Sequence, residues 1–333
     1  MITKPLVSII CPFYNEEQSA PIFYKSVVAE IEKIDEYEFE IVCVDDGSED
    51  DTLTFLLSVA KNDPRFRIVQ LTRNFGKEAA LSAGLEASTG AYVILMDADL
   101  QDPVSLISQM LKTRQVTGAD VVLARRKDRK SDHFMKRITA NLFYRLYNKL
   151  SHVKIPENVG DCRLMSRHVV DAIKVFPEKQ RFMKGLLSWV GFYTITIDYV
   201  REPRSAGKSK FSGWKLWNFA LEGITSFSTL PLRIWTYFGA LGALLSFFYG
   251  TFIVFKTMFL GADVPGYASI LASILFFGSI QLIGLGVMGE YVGRIYMESK
   301  RRPMYLVKKV YGKKNPIAKS RLSDVETPDT TLS

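Results

Sequence analysis

Between Ile234 and Gly289 the chain carries only two charged side chains, Lys256 and Asp263. Residues 234–255 form one uncharged run of 22 and residues 264–289 another of 26 that carries no charge either. As helices, each is long enough to cross a hydrocarbon core of about 30 Å. The few residues between them make the pair a hairpin with both ends on one side. Arg233 precedes it, and ten Lys or Arg against one acid, Glu298, lie between Arg294 and Arg321. Such a basic flank marks the cytoplasmic side. The expectation is a two-span segment over 232–292, with spans near 234–256 and 266–290. A basic cytoplasmic tail over 293–333 follows, and its polar end, SDVETPDTTLS, has the composition of a disordered segment. Two spans with one marginally polar side chain, Gln281, and no paired charges argue against a flippase or channel.

The rest of the chain has a different character. The net charge of +8 is concentrated in the tail, and the remainder lacks the basic patch of a nucleic-acid-binding face. The opening MITKPLVSIICP has too short an apolar stretch for a signal peptide. A cytoplasmic domain is therefore expected over 1–210. Within it, β-rich runs at 7–11, 40–44, 66–70, 91–96 and 120–124 alternate with helix-length amphipathic stretches at 17–35, 51–62, 77–88 and 103–117. That alternation predicts an α/β fold, a mostly parallel Rossmann-like sheet covered on both faces. Ligands of such sheets bind beyond the carboxyl ends of the strands, here segments 12–17, 45–48, 72–77 and 97–102.

Residues 126–165 are basic and less regular, and predict a helix over 134–150 followed by a loop. Residues 193–200 alternate as a strand, and 204–210 read as a flexible basic loop. Trp214, Trp217, Leu221, Ile224 and Phe227 recur at spacings of three or four, which predicts an amphipathic juxtamembrane helix over 211–231 lying in the membrane interface. Cys11, Cys43 and Cys162 lack metal-like spacing and read as reduced core thiols. His133, His152 and His168 are scattered and read as surface or packing residues.

The chemistry-bearing signal is Asp97-Ala98-Asp99 at the end of the run AYVIL. Two carboxylates one residue apart at a strand mouth suit Mg²⁺ or Mn²⁺ bridging a diphosphate, because these cations take hard oxygen ligands and keep phosphate and water in their shell. Asp45-Asp46-Gly47-Ser48 follows an earlier strand. Acids at two strand ends of one sheet are costly unless they bind something. Arg73 and Lys77 are candidates for phosphate contact or for pairing with neighbouring acids such as Glu78. Asn15 and Ser48 read equally as ligands or as turn and cap residues.

CPFYNEE, VDDGSEDDT, TRNFGKEAALSAGLEASTGAYVILMDADLQDP and NVGDCRLMSR together resemble the family 2 glycosyltransferases with the GT-A nucleotide-diphospho-sugar transferase fold. Within these the chain is most similar to the bacterial bactoprenol glucosyltransferases of O-antigen and lipopolysaccharide modification, through FMKGLLSWVG, FSGWKLWN and LEGITSFSTLPLRIWTY, and more distantly to dolichyl-phosphate mannosyltransferase. The resemblance implies inverting transfer of glucose from UDP-glucose onto undecaprenyl phosphate at the cytoplasmic face of the inner membrane. GDP-mannose or another UDP-sugar is the alternative donor. It implies that Pro12, Tyr14 and Glu16 hold the nucleoside, that Asp45 or Asp46 meets the base or ribose, and that Asp97 and Ala98 line the donor site. Asp97, Asp99 and Gln101 correspond to the metal and diphosphate site. Arg125, Arg163, Arg204 and Lys210 are implied to meet donor or acceptor phosphates. Asp161 matches the residue assigned as catalytic base and joins Asp99 and Arg125 as the catalytic set. A homotetramer, a downstream flippase and a periplasmic glycosyltransferase are the implied partners.

A phosphate acceptor changes what Asp161 is needed for. With a second pKa near 6, a phosphate monoester is mostly dianionic at about pH 7 and attacks without a general base. Asp161 is then expected to orient the acceptor or Arg163. A processive polysaccharide synthase would carry Gln-x-x-Arg-Trp, which Gln180-Arg181-Phe182 does not fit. A non-catalytic membrane scaffold would have lost the paired acids, and all four are present.

Overall fold

The computed structural model describes residues 4–127, 159–176, 189–200, 230–260 and 266–312. The expected helix over 134–150, all of the expected helix over 211–231 but its last two residues, and the loop holding Arg204 and Lys210 lie outside them.

The first half of the chain alternates as its patterning requires. The elements are β1 (Leu6–Phe13), α1 (Ser19–Ile31), β2 (Glu38–Asp45), α2 (Thr52–Asn62), β3 (Phe66–Leu71), α3 (Lys77–Ala87), β4 (Tyr92–Leu95), α4 (Leu106–Thr117) and β5 (Val121–Arg126). They are followed by β6 (Val159–Ser166), α5 (Arg167–Val175), β7 (Thr194–Tyr199), two long helices α6 (Leu230–Leu260) and α7 (Tyr267–Ser299), and β8 (Val307–Tyr311). One eight-stranded sheet runs in the order β7-β5-β6-β4-β1-β2-β3-β8. Pairs β1–β2, β1–β4, β2–β3 and β5–β7 are parallel; β4–β6, β5–β6 and β3–β8 are antiparallel. The sheet is mostly parallel, as the alternation implied.

Helices cover both faces because the central strands are apolar on both. Ile9, Ile10, Ile41, Val42, Val44 and Ile94 are all fully buried. On one face Phe23 of α1 meets Phe13 edge-on at 5.4 Å, and Leu106, Ile107 and Met110 of α4 join the same cluster. On the other, α3 lies so close that a Cβ at Gly84 would fall 2.2 Å from Ile10 Cγ2. Only glycine permits that approach.

The amino edge of the sheet is locked by a buried carboxylate. Glu40 Oε1 accepts from Ser8 Oγ at 2.6 Å, from the Thr89 N–H at 2.6 Å and from Thr89 Oγ1 at 2.9 Å. Arg67 Nη2 lies 3.5 Å from Glu40 Oε2.

Two strands correct the sequence reading. Residues 159–166, expected as part of an irregular segment and loop, form β6 and insert antiparallel between β4 and β5. The segment 293–333 is not wholly a tail: α7 runs to Ser299 and β8 pairs with β3. The Thr72 N–H also donates to the Leu306 carbonyl at 3.0 Å. Exposed Lys308 and Lys309 on β8 suit an edge strand, since charge discourages further pairing.

The chain divides into two units. Among the described residues, one holds the sheet and its helices, and the other holds α6 and α7 up to Arg302. Within the second, α6 and α7 meet where Trp235 lies over Gly284, so that a Cβ there would come within 3.3 Å of the ring. Taken over the described residues alone, no helix is long and apolar enough to cross a membrane. Several side chains of α6 and α7 fall outside that description, so the two-span expectation rests on the uninterrupted sequence.

Candidate active site

The carboxyl ends of β1 to β5 open on one edge of the sheet, and the antiparallel β6 begins there. Segments 12–17 and 45–52 are stitched together at that edge. The Asn15 N–H donates to Ser48 Oγ at 3.1 Å, and the Glu49 N–H to Asn15 Oδ1 at 2.8 Å. The Glu16 N–H donates to Thr52 Oγ1 at 2.8 Å, while Glu16 Oε2 accepts from Ser19 Oγ at 2.8 Å. Asn15 takes a left-handed φ of 52°, which asparagine tolerates better than most residues. Asn15 and Ser48 are thus turn residues, and Glu16 ties down the start of α1. Pro12 and Tyr14 sit half-buried on the same loop.

The adjacent aspartates at the end of β2 differ sharply. Asp46 is bonded through both oxygens: the Phe75 N–H donates to Oδ1 at 2.7 Å and the Gly76 N–H to Oδ2 at 2.9 Å. It holds the 72–77 segment against β2. Asp45 is fully buried, takes the Ser48 N–H on Oδ1 at 3.3 Å, and has no partner on Oδ2. Burial raises both carboxyl pKa values, against their hydrogen bonds. An orphaned buried carboxylate oxygen is expensive. Asp45 is therefore the one of the pair equipped to meet a donor group of a ligand.

Asp97 and Asp161 are brought together by the β4–β6 register. Leu95 pairs with Arg163, and because the strands run antiparallel, two residues after Leu95 and two residues before Arg163 bring Asp97 opposite Asp161. Between them sits Lys77, the first residue of α3. Its Nζ is 2.7 Å from Asp97 Oδ1, 2.8 Å from Asp97 Oδ2 and 2.6 Å from Asp161 Oδ2. Burial works to lower the ammonium pKa, but the Asp161 and Asp97 charges outweigh it and raise it. Position alone could not choose between phosphate contact and a partner such as Glu78; the structure gives Lys77 to Asp97 and Asp161.

Asp161 projects from an irregularity in β6. Leu123 pairs with Arg163, but Arg125 pairs with Val159, so one residue of β5 faces three of β6. Bulges of this kind re-aim side chains. Arg163, buried to 2% exposure, clamps the bulge: Nε donates to the Asp161 carbonyl and Nη2 to the Gly160 carbonyl, both at 3.0 Å. Where the sequence reading expected a phosphate contact, the guanidinium holds the backbone that presents Asp161.

Asp99 Oδ1 accepts the Gln101 N–H at 3.1 Å, across a Leu100 at φ 53°. Ala98 is buried beneath this turn. The turn is anchored by Asp102, which accepts a hydrogen bond from the Tyr199 hydroxyl at the end of β7. Neither Asp102 nor Tyr199 stands out in sequence. Arg125 lies alongside Asp198 of β7, donating from Nε at 2.7 Å and from Nη2 at 3.2 Å, and both are exposed enough to exchange this pairing for a ligand.

The donor set suits a divalent cation that is only partly caged. Asp97 and Asp99 offer hard carboxylate oxygens, and the ammonium seated against Asp97 marks a spot that favours positive charge. Among the described residues, no group of three or more His, Cys, Asp or Glu could hold a metal unaided. The shell would have to be completed by phosphate and water, as is usual for Mg²⁺ beside a nucleotide.

The model of the family described as glycosyl transferase family 2 matches residues 8–174, which contain most of β1, all of β2 to β6 and every site residue just described except Asp198 and Tyr199. The chain belongs to glycosyl transferase family 2. It is a glycosyltransferase with a GT-A-like sheet. A "bactoprenol glucosyl transferase" of Shigella phage SfX is 55% identical over 302 residues, covering 91% of this chain and 98% of that one. A "prophage bactoprenol glucosyl transferase homolog" of Escherichia coli (strain K12) is 54% identical over 304 residues, covering 91% and 99%. Among solved structures, a mannosyltransferase from Pyrobaculum calidifontis in complex with GDP-Man and Mn²⁺ is 19% identical, with a TM-score of 0.44 over 90% of this chain and 85% of that one. That likeness is too distant to speak for the site.

Proposed function

We propose that this glycosyltransferase moves glucose from UDP-glucose to undecaprenyl phosphate at the cytoplasmic face of the inner membrane, inverting the anomeric centre. The juxtaposition of Asp97, Lys77 and Asp161 at the mouth of β4 supports the reading, together with relatives named as bactoprenol glucosyl transferases that match along almost their whole length. Asp45, with its vacant Oδ2, meets a donor N–H or hydroxyl of the nucleoside, beside Pro12, Tyr14 and Glu16. Asp97, Asp99 and Gln101 would hold Mg²⁺ or Mn²⁺. When bound, the cation offsets charge on the departing diphosphate.

The acceptor phosphate attacks the anomeric carbon, the carbon–oxygen bond to the diphosphate breaks, and UDP leaves. No proton need be removed from a dianionic acceptor. Asp161 orients the acceptor side of the site through the cation it holds, Lys77, and Arg125 can leave Asp198 to screen phosphate charge. Arg204 and Lys210, outside the described residues, are assigned to the same phosphate-binding role. Uncharged runs of 22 and 26 residues supply the two spans, with both termini cytoplasmic. A homotetramer and a flippase acting on the product belong to the same reading.

Purified protein is incubated with undecaprenyl phosphate, Mg²⁺ and a panel of labelled nucleotide sugars, and organic-phase label is counted. UDP-glucose should give product, and Asp99→Ala should abolish it. No product from any donor would sink the activity; product from another donor alone would reassign the sugar.

A further inference from the structure

Lys77 raises a problem that the proposed cation site does not resolve. Its ammonium touches both oxygens of Asp97, at 2.7 and 2.8 Å, and also Asp161 Oδ2 at 2.6 Å. A divalent cation bound to Asp97 would stand a few ångström from that ammonium, at an energy cost comparable to the attraction it gains from one carboxylate. Both cannot use Asp97 fully at once.

We propose that Lys77 is a resident counter-cation, which the divalent cation displaces from Asp97 and which Asp161 retains. This rests on the reading that the cation is held at Asp97 and Asp99. Two features favour exchange. The backbone at Lys77 is fixed, because Asp46 accepts the Phe75 and Gly76 N–H groups immediately before it. Its side chain is 41% exposed and ends a four-carbon stem, so the ammonium can swing while α3 stays in place.

Lys77 thereby keeps opposed Asp97 and Asp161 from repelling each other in the empty enzyme. It also penalises capture of the metal alone. A cation arriving with a diphosphate avoids the penalty, since the diphosphate's negative charge compensates the ammonium pushed off Asp97. After exchange, Lys77 remains on Asp161 as a fixed positive charge between that carboxylate and the anionic acceptor.

The test reads binding of Mn²⁺ alone, by electron paramagnetic resonance of the free ion, to the detergent-purified full chain without nucleotide. Lys77→Gln should bind Mn²⁺ about tenfold tighter than wild type, the factor that a unit charge near a divalent one is worth in near-aqueous surroundings. Lys77→Arg keeps the charge and should stay near wild type. Adding Asp97→Asn to Lys77→Gln should remove the gain. Equal or weaker binding by Lys77→Gln would overturn the exchange while leaving the cation assignment standing. A gain that survives Asp97→Asn would overturn both. Should Lys77→Gln fail to fold, the wild type decides by acylation of Lys77 followed by mass spectrometry. Saturating Mn²⁺ should raise its reactivity, and unchanged reactivity refutes displacement.

Discussion

Replacing Asp45 and Asp46 one at a time should separate two adjacent carboxylates that look equivalent in sequence. Asp46 accepts two backbone N–H groups, at 2.7 and 2.9 Å. Hydrogen bonds to a charged group contribute about 1.5–3 kcal/mol each, and the donors at Phe75 and Gly76 are only half-buried, so water recovers part of that. Asp46→Ala should then cost about 2–4 kcal/mol, or roughly 5–10 °C in melting temperature for a domain of this size. It should also weaken UDP binding, since the 72–77 segment loses its tether. Asp45 behaves oppositely. The amide oxygen of Asp45→Asn can still accept the Ser48 N–H, while a buried charge with a partnerless oxygen is removed.

The pH dependence has a definite sign. Burial raises the folded-state pKa of Asp45, so its favourable contribution is complete below the unfolded carboxyl value and is lost as pH rises through the raised one. Asp45→Asn should be as stable as wild type in acid and more stable at neutral pH, yet bind UDP poorly. Thermal unfolding in detergent at both pH values, with calorimetric titration of UDP, measures all of this. An Asp45→Asn melting loss as large as that of Asp46→Ala would refute the division of roles.

Glu40→Ala should lower stability by about 3–5 kcal/mol by leaving buried partners unpaired, with UDP affinity of the folded fraction intact; a reduced affinity would place Glu40 in the site's machinery. Gly84→Ala drives a Cβ to 2.2 Å from Ile10 Cγ2, and should cost about 1–3 kcal/mol by overpacking, read as a lower melting temperature. Arg125→Ala should leave melting unchanged, because its pairing with Asp198 is exposed, but should lower turnover. Undiminished turnover removes Arg125 from the phosphate-binding set.

Strands β1 to β5 were legible because each is an apolar run bounded by polar turns, and the strand-end segments that hold the acids and Lys77 follow from them. β6 escaped because VGDCRLMS breaks its own alternation with a bulge and buries an arginine. β8 escaped because VKKVY sits in a basic run, and its lysines read as tail charge until β3 supplies a partner. Lys77 was visible as a strand-end cation, but its partner Asp161 lies 84 residues away. Only the antiparallel register of β6, invisible in a local window, joins them. The choice between Asp45 and Asp46 was likewise beyond sequence, since it depends on where the backbone of another loop lands.

The position of β8 in the chain turns the sheet's edge into a leash. Seven residues, 300–306, separate the end of α7 from the start of β8, a segment that even fully extended reaches about 30 Å at most. The strand it ends in pairs with β3, and the Leu306 carbonyl holds Thr72 at the start of the segment that delivers Lys77. Cutting the chain after Ser299 would therefore do more than shorten a tail: it would remove one of the bonds that hold the loop bearing Lys77, leaving Asp46 to hold it, and strip the cover from the edge of β3.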